Sequence, residues 1–307
     1  MDMKYIIETE NLTKKYGKVT VVDNVNIHVP KGKIYAFIGR NGAGKTTLMK
    51  MLLKLISSTN GNFYLFGEKS EKIGQNIYRK IGSIIETPGF YENLTAYENL
   101  RLLMRLSGQE KKEKLKIALE VVGLHNEYTK PFSDYSLGMK QRLGIAAAIM
   151  HEPELLILDE PSNGLDPIGI TEIRELLASL SRDRGTTIFI SSHVLSEIEQ
   201  IADVIGIMHE GRLIQEINMS ELHNCKRRYI EFEVSDTAKA LEILRKSYGI
   251  TDFQVQGNIL KVFDMTYKSD VINKTFVENG LMVTKVNENK EDLEVYFSKL
   301  IGGGGIA

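Results

Sequence analysis

Two periods run along the chain, and the places where one gives way to the other mark out its elements. Unbroken apolar runs stand at 34–38 (IYAFI) and 155–158 (LLIL), and a β-branched run at 186–190 (TTIFI). Short runs of this kind predict strands covered on both faces, as in a parallel sheet. Residues 5–8, 62–66 and 80–85 read as further strands, and 19–29 as one that alternates only in part. Between the strands the spacing lengthens to that of a helix. Leu100, Leu103 and Met104, then Leu115, Ala118, Leu119 and Val122, predict helices over 94–106 and 111–122. Thr95 with Glu98 three residues on forms a capping-box pattern for the first. The apolar stretch 143–150 predicts a buried helix, with Ser136 a candidate N-cap ahead of it. Asp166-Pro167 opens a helix that runs to about 182, and 203–208 with 211–217 reads as a hairpin, followed by a short helix at 220–225.

Beyond residue 227 the character changes. Ile230, Phe232 and Val234 alternate as a strand, 237–246 is helical, and 253–256 and 259–263 are strands around Gly257-Asn258. Residues 271–278 are helical, 281–286 form a strand and 293–300 a last helix. This order, β-α-β-β-α-β plus one helix, predicts a small ferredoxin-like unit. The expected organisation is an α/β domain over 1–225 with a helical subdomain at about 87–152. An α+β accessory domain follows over 226–301. The glycine-rich tail 302–307 is expected to be disordered.

Composition changes this picture little. Of 307 residues, 42% are hydrophobic, enough for a core in each domain. The 39 basic residues balance 40 acidic ones for a net charge of −1, which argues against an extended nucleic-acid surface and against a nucleic-acid partner. The single cysteine, Cys225, rules out an internal disulfide framework. No stretch approaches the roughly 18 apolar residues that span a bilayer. The N-terminus, MDMKYIIETENL, carries acids and lacks the apolar centre of a signal peptide. If the chain acts at a membrane, another chain supplies the spanning part.

The candidate chemistry sits at the ends of the apolar runs. Directly after 34–38 comes GRNGAGKTT, residues 39–47, which matches G-x-x-x-x-G-K-[ST] with Gly39, Gly44, Lys45 and Thr46 in place. Asn41, Gly42 and Ala43 fill the loop, and Thr47 carries it into the next helix. Glycines let the backbone curl so that successive N–H groups face one anion, and the helix adds the positive end of its dipole. Lys45 can reach the β- and γ-phosphates, and the Thr46 hydroxyl suits Mg²⁺. This stretch is a nucleoside triphosphate site. The run at 155–158 ends in Asp159-Glu160, a buried strand delivering carboxylates where open α/β sheets place their ligands. Asp159 suits Mg²⁺ through water, and Glu160 suits a general base on the attacking water. His193 closes the 186–190 strand, and beside a bound phosphate it can contact the γ-phosphoryl group. Tyr16, placed in a Gly-containing turn, either stacks on an adenine face or packs its own turn. The helix headed by Ser136 is either merely capped or a second anion site. Glu86 follows the 80–85 strand and precedes a Pro-Gly loop, a more telling position than that of an ordinary solvated carboxylate.

Taken in order, GRNGAGKT, YSLGMKQ (135–141), LLILDEP (155–161), SNGLD (162–166) and SSH (191–193) make residues 4–220 resemble the nucleotide-binding subunit of ATP-binding cassette transporters. The resemblance implies an α/β P-loop NTPase fold, ATP and Mg²⁺ as ligands, and hydrolysis coupled to transport. It implies that Tyr16 stacks on adenine, that Lys45 and the 39–47 backbone hold the phosphates, and that Thr46 and Asp159 serve the metal. Glu160 would polarise the water, and His193 would sense the γ-phosphate. Ser136 and Gly138 would touch ATP bound by a second copy, and Asp166 would communicate between the two sites. A homodimer closing over two ATP is thus implied, together with a separate transmembrane permease and a place on the cytoplasmic face of the cell membrane.

Two departures stand out. The usual L-S-G-G-Q signature reads Tyr135-Ser136-Leu137-Gly138-Met139, and Glu86 stands where the family usually has Gln. A carboxylate there repels a triphosphate unless Mg²⁺ or a cation offsets it, so Glu86 is expected to share the metal and to link it to the permease. Glu86-x-Pro-x-Phe-Tyr with SLGMKQR resembles the bacitracin-resistance and lantibiotic self-protection exporters, which implies export of a peptide antibiotic or similar amphiphile. The alternative is a soluble cassette ATPase that drives a non-transport mechanical process. Such chains usually carry two cassettes or long coiled-coil insertions, and this sequence has neither.

Overall fold

A computed structural model describes residues 4–86, 89–108, 112–225, 227–290 and 293–300. The chain divides into two compact units, Met1–Met219 and Ser220–Ala307. The expected tail at 302–307 lies outside the described residues.

The first unit opens with β1 (Tyr5–Tyr16), β2 (Val19–Val25), β3 (His28–Pro30) and β4 (Ile34–Ile38). β1 continues past residue 8, where the sequence pattern stops. Its pairing with β2 shifts register at Leu12/Lys14 and again at Lys14/Lys15, and such bulges erase the alternation that a sequence reading relies on. Tyr16 therefore ends a strand instead of sitting inside a turn. The strand expected over 19–29 is interrupted before His28, because Asn24 turns into the left-handed region (φ 51°) and the Asn26 side chain accepts from the Asn11 N–H.

Next come α1 (Lys45–Leu52), β5 (Asn60–Leu65), β6 (Glu68–Lys69), the single-turn α2 (Gln75–Tyr78) and β7 (Ile81–Ile84). β1, β2, β3, β5 and β6 make an antiparallel sheet. Three helices follow: α3 (Ala96–Leu106), α4 (Lys112–Val121) and α5 (Leu137–Ile149). The capping box forms as its spacing predicts. The Thr95 hydroxyl accepts from the Glu98 N–H at 3.2 Å, and the Glu98 carboxylate accepts from the Thr95 N–H at 2.9 Å. Then β8 (Leu155–Asp159), α6 (Pro167–Arg184), β9 (Thr187–Ser192), the short α7 (Leu195–Ile198), β10 (Val204–His209) and β11 (Arg212–Asn218) complete the unit.

The six-stranded sheet runs β11-β10-β4-β9-β8-β7, parallel from β10 to β7, with β11 antiparallel at the edge. Every residue of β4, β8 and β9 is buried, as the apolar runs require. β9 lies between β4 and β8. The strand carrying His193 at its end is thus inserted between the strand that leads into the phosphate loop and the strand that ends in Asp159.

The second unit begins with α8 (Met219–Cys225), so the boundary falls at the start of this helix instead of its end. It contains β12 (Arg228–Val234), α9 (Thr237–Ile243), β13 (Phe253–Gln256), β14 (Ile259–Val262), α10 (Ser269–Glu278), β15 (Val283–Lys290) and α11 (Leu293–Leu300). The strands order as β13-β14-β12-β15, with every neighbour antiparallel. Two β-α-β crossovers interleaved in one sheet give this βαββαβ arrangement. Phe232 and Phe276 meet edge to face at 5.1 Å in its core, among Ile230, Val262 and Ile272.

Candidate active site

The loop between β4 and α1 is shaped by glycine where nothing else fits. A Cβ on Gly39 would lie 2.3 Å from the Met208 carbonyl oxygen, and one on Gly44 2.6 Å from that of Val21. Gly44 also holds φ at 106°, a conformation closed to L side chains. It is the N-cap of α1 and offers no side-chain cap. The first N–H groups of the helix therefore face outward from a positive dipole end, an arrangement suited to phosphate. Asn41 and Gly42 are exposed, while Ala43 is buried and its carbonyl accepts from the Gly211 N–H at 3.1 Å. Thr47 is half-buried in the first turn of α1.

Lys45 is buried and folded over the loop. Its Nζ donates to the Gly39 carbonyl at 2.6 Å and lies 3.2 Å from Glu160 Oε1. That Oε1 is buried and meets the Lys45 ammonium without a formal hydrogen bond. The other oxygen, Oε2, is 2.6 Å from His193 Nδ1. The Thr46 hydroxyl donates to Asp159 Oδ2 at 2.7 Å. Lys45, Glu160 and His193 thus form one linked group and Thr46 with Asp159 a second, and Ser191 joins the two into one cluster. Glu160 turns into the left-handed region (φ 49°) just past the end of β8, which aims its carboxylate across β9.

The sequence reading overlooked the brace of this cluster. Ser191, fully buried on β9, is the register partner of Asp159. Its hydroxyl donates to Asp159 Oδ1 at 2.6 Å and accepts from the Glu160 N–H at 2.9 Å. The SSH segment contains it, but only knowledge that β9 and β8 are neighbours reveals the bridge.

The donor set fits a magnesium–triphosphate. Mg²⁺ takes hard oxygens and is commonly held by one or two protein oxygens together with substrate phosphates and water. Thr46 and Asp159 supply such a pair. Among the described residues no group of three or more His, Cys, Asp or Glu could hold a metal through the protein alone. Glu86 stands apart from this pair. It is exposed, its backbone is left-handed (φ 64°), and its Oε1 pairs with Lys50 Nζ at 2.6 Å. Tyr16 is exposed at the end of β1, with the Lys14 ammonium 4.9 Å above its ring.

The remaining candidates do not join the cluster. Ser136 caps α5 by accepting from the Met139 N–H at 3.3 Å, and Asp166 caps α6 by accepting from the Gly169 N–H at 2.9 Å. With Gly138, Arg142 and Glu172 they line a surface depression of about 440 Å³. No residue of the phosphate loop lines it.

A second overlooked residue organises the segment that follows Glu86. Asn99 on α3 is buried, and its Oδ1 accepts from the Tyr91 N–H at 2.8 Å. Its Nδ2 faces the carbonyls of Tyr91 (3.0 Å), Leu94 (3.2 Å) and Thr95 (3.1 Å).

A buried parallel strand, a capless helix start and a carboxylate pair two strands over define a P-loop nucleoside triphosphatase domain carrying a helical insert. Comparison with known proteins narrows that class. The family described as ABC transporter matches residues 22–163. The bacitracin transport ATP-binding protein BcrA of Enterococcus faecalis is 64% identical over 307 residues, 100% of both chains. The lantibiotic transport ATP-binding protein SrtF of Streptococcus pyogenes is 48% identical over 225 residues, 71% of this chain and 96% of that one. A solved ATP-binding subunit of an ABC transporter superposes with a TM-score of 0.63 at 31% identity, covering 71% of this chain and 92% of the other.

The chain belongs to the ATP-binding subunits of ABC transporters. It is an ATPase of that family, whose cassettes bind ATP or ADP, form dimers and work with transmembrane partners. Among the described residues no helix is long and apolar enough to cross a membrane.

Proposed function

We propose that this subunit hydrolyses ATP at the 39–47 loop to drive export of a peptide antibiotic or similar amphiphile through a separate transmembrane permease. The carrying observation is the Lys45–Glu160–His193 cluster, which holds the Glu160 carboxylate beside the phosphate loop between an ammonium and an imidazole. In this reading Lys45 and the backbone N–H groups of Gly42, Gly44, Lys45 and Thr46 hold the phosphates. Thr46 and Asp159 hold Mg²⁺, which when bound neutralises phosphate charge. Glu160 takes the proton of the attacking water, and His193 fixes the Glu160 carboxylate and meets the γ-phosphate. Tyr16 offers its exposed ring to the adenine.

Ser136 and Gly138 line a depression separate from the phosphate loop, and that placement supports their acting on ATP held by a second copy. Two copies would close over two ATP, docked on the permease at the inner face of the cell membrane, with Asp166 between the two sites. The export reading draws on the full-length relative named for bacitracin transport. The test is resistance to bacitracin in a sensitive host that carries this subunit with its permease. The wild type is expected to raise the inhibitory concentration, and Glu160→Gln to abolish the rise while retaining ATP binding. Equal resistance from both proteins overturns the hydrolytic reading, and no protection by the wild type overturns the export reading.

A further inference from the structure

Helix α1 does more than present the phosphate loop, and its far end bears on the same site. β7 and β8 are parallel neighbours in register, with Ile84 opposite Leu158. Two residues beyond these partners stand Glu86 and Glu160. Both are left-handed, at φ 64° and 49°, where a non-glycine residue is uncommon. Adjacent strands therefore end in the same way, each turning a glutamate out of the carboxyl edge of the sheet. With Asp159 as the last residue of β8, three carboxylates stand at the carboxyl ends of these two neighbouring strands. Like charges gathered at one edge cost free energy unless each has a partner.

α1 supplies a partner to all three. Lys45 pairs with Glu160 at 3.2 Å, the Thr46 hydroxyl with Asp159 at 2.7 Å, and Lys50 with Glu86 at 2.6 Å. Lys50 follows Thr46 by four residues, so the two stand one turn apart on one face of the helix. The hydrogen bond to Glu86 raises the Lys50 pKa above its ordinary value, and the charge of Asp159 acts in the same direction.

We propose that Lys50 is a positioning residue that holds and neutralises the Glu86 carboxylate, allowing an acid to stand at the end of β7 beside the magnesium–triphosphate. The inference rests on the proposed nucleotide site. Without Lys50 the Glu86 carboxylate would stand unpaired at the sheet edge that carries the proposed nucleotide site, and the expected penalty falls on nucleotide binding. A merely structural ion pair on an exposed surface contributes little to stability and nothing to affinity.

The experiment measures the dissociation constant for a fluorescent Mg·ATP analogue in four full-length proteins: wild type, Lys50→Met, Glu86→Gln and the double variant. Lys50→Met is expected to weaken binding about tenfold when Glu86 is intact and less than about threefold when Glu86→Gln is already in place, the coupling expected of two charges in contact. Lys50→Arg is expected to bind like the wild type. Equal losses in both backgrounds overturn the proposal, since Lys50 would then act on the phosphates directly. No loss in either background also overturns it. If the wild type itself binds no Mg·ATP, the nucleotide-site reading falls first. Thermal scans of the four proteins identify a variant that merely fails to fold, and for such a variant Lys50→Arg against Lys50→Gln supplies the comparison.

Discussion

Ser191→Ala is the most informative single substitution, because one buried oxygen braces both carboxylates of the site. The change removes that oxygen and keeps the Cβ, so hardly any cavity opens. Two interactions are lost. The donor to Asp159 at 2.6 Å is charge-assisted, and removing such a bond costs roughly 1.5–3 kcal/mol. The Glu160 N–H, 2.9 Å from the same oxygen, loses its acceptor, at roughly 1–3 kcal/mol for a buried orphan. The two losses share one atom and do not simply add, which gives about 3 kcal/mol. For a unit of this size that is a fall in Tm of about 6–12 °C. Loosening the groups behind a metal ligand and a base also slows turnover, by about 10- to 100-fold. The control is Ser192→Ala on the same strand. Ser192 is equally buried, but its hydroxyl bonds only the backbone of Val194, at 3.3 and 3.0 Å. Calorimetry and steady-state ATPase assays compare the two variants. If Ser191→Ala destabilises no more than Ser192→Ala and keeps kcat within about twofold, the bracing argument fails.

Glu160→Gln is expected to lower kcat by about 10²–10⁴ while ATP still binds, as measured by single-turnover hydrolysis and equilibrium binding. Gly44→Ala places a Cβ 2.6 Å from the Val21 carbonyl at a φ of 106°, so nucleotide binding is expected to disappear in a titration, with a clear fall in Tm. Asn99→Ala takes the acceptor from the Tyr91 N–H, while the three carbonyls it faces each keep a backbone donor. A loss of about 1–3 kcal/mol is expected in denaturant unfolding, with residues 89–95 exchanging their amide protons faster. Burial lowers the pKa of His151, whose Nε2 is 3.1 Å from the Ile81 carbonyl, so the fold holds it neutral. The unfolded chain binds that proton more readily. Stability from this group is therefore fully present above its unfolded value of about 6.5 and is lost as pH falls towards the depressed folded value. Tm is expected to drop between pH 7 and 5.5, and His151→Gln to flatten that slope.

The fold was legible where its determinants are local. Fully apolar runs gave β4 and β8, a β-branched run gave β9, the T-x-x-E spacing gave the cap of α3, and the phosphate loop announced its own backbone. Most of the misses share one cause, which is dependence on a distant partner. β1 extends to Tyr16 only because bulged pairing with β2 carries it there, so its alternation is broken in the sequence. The single-turn helices α2 and α7 are too short to show a period. Asn99 looks like a polar residue on a helix face until the 89–95 segment folds over it. Lys50 looks like a surface lysine until β7 brings Glu86 to it.

The site itself depends on one topological fact that no motif states. The phosphate loop follows β4 and the carboxylates follow β8, yet these strands do not touch, since β9 runs between them in parallel register with both. Ser192 is opposite Ile38, and Ser191 is opposite Asp159. A bulky apolar residue at 191 would take the donor from Asp159 and leave the Glu160 N–H without an acceptor. A small hydroxyl satisfies both groups, so the strand that separates the two halves of the site is also the element that couples them. The left-handed turn at Glu160 follows from the same arrangement. An extended residue there would continue β8 past the sheet edge, whereas φ at 49° swings the carboxylate over β9 to His193 and Lys45. The strain of about 1–3 kcal/mol at such a residue is offset by an ion pair and a hydrogen bond that no extended conformation could form.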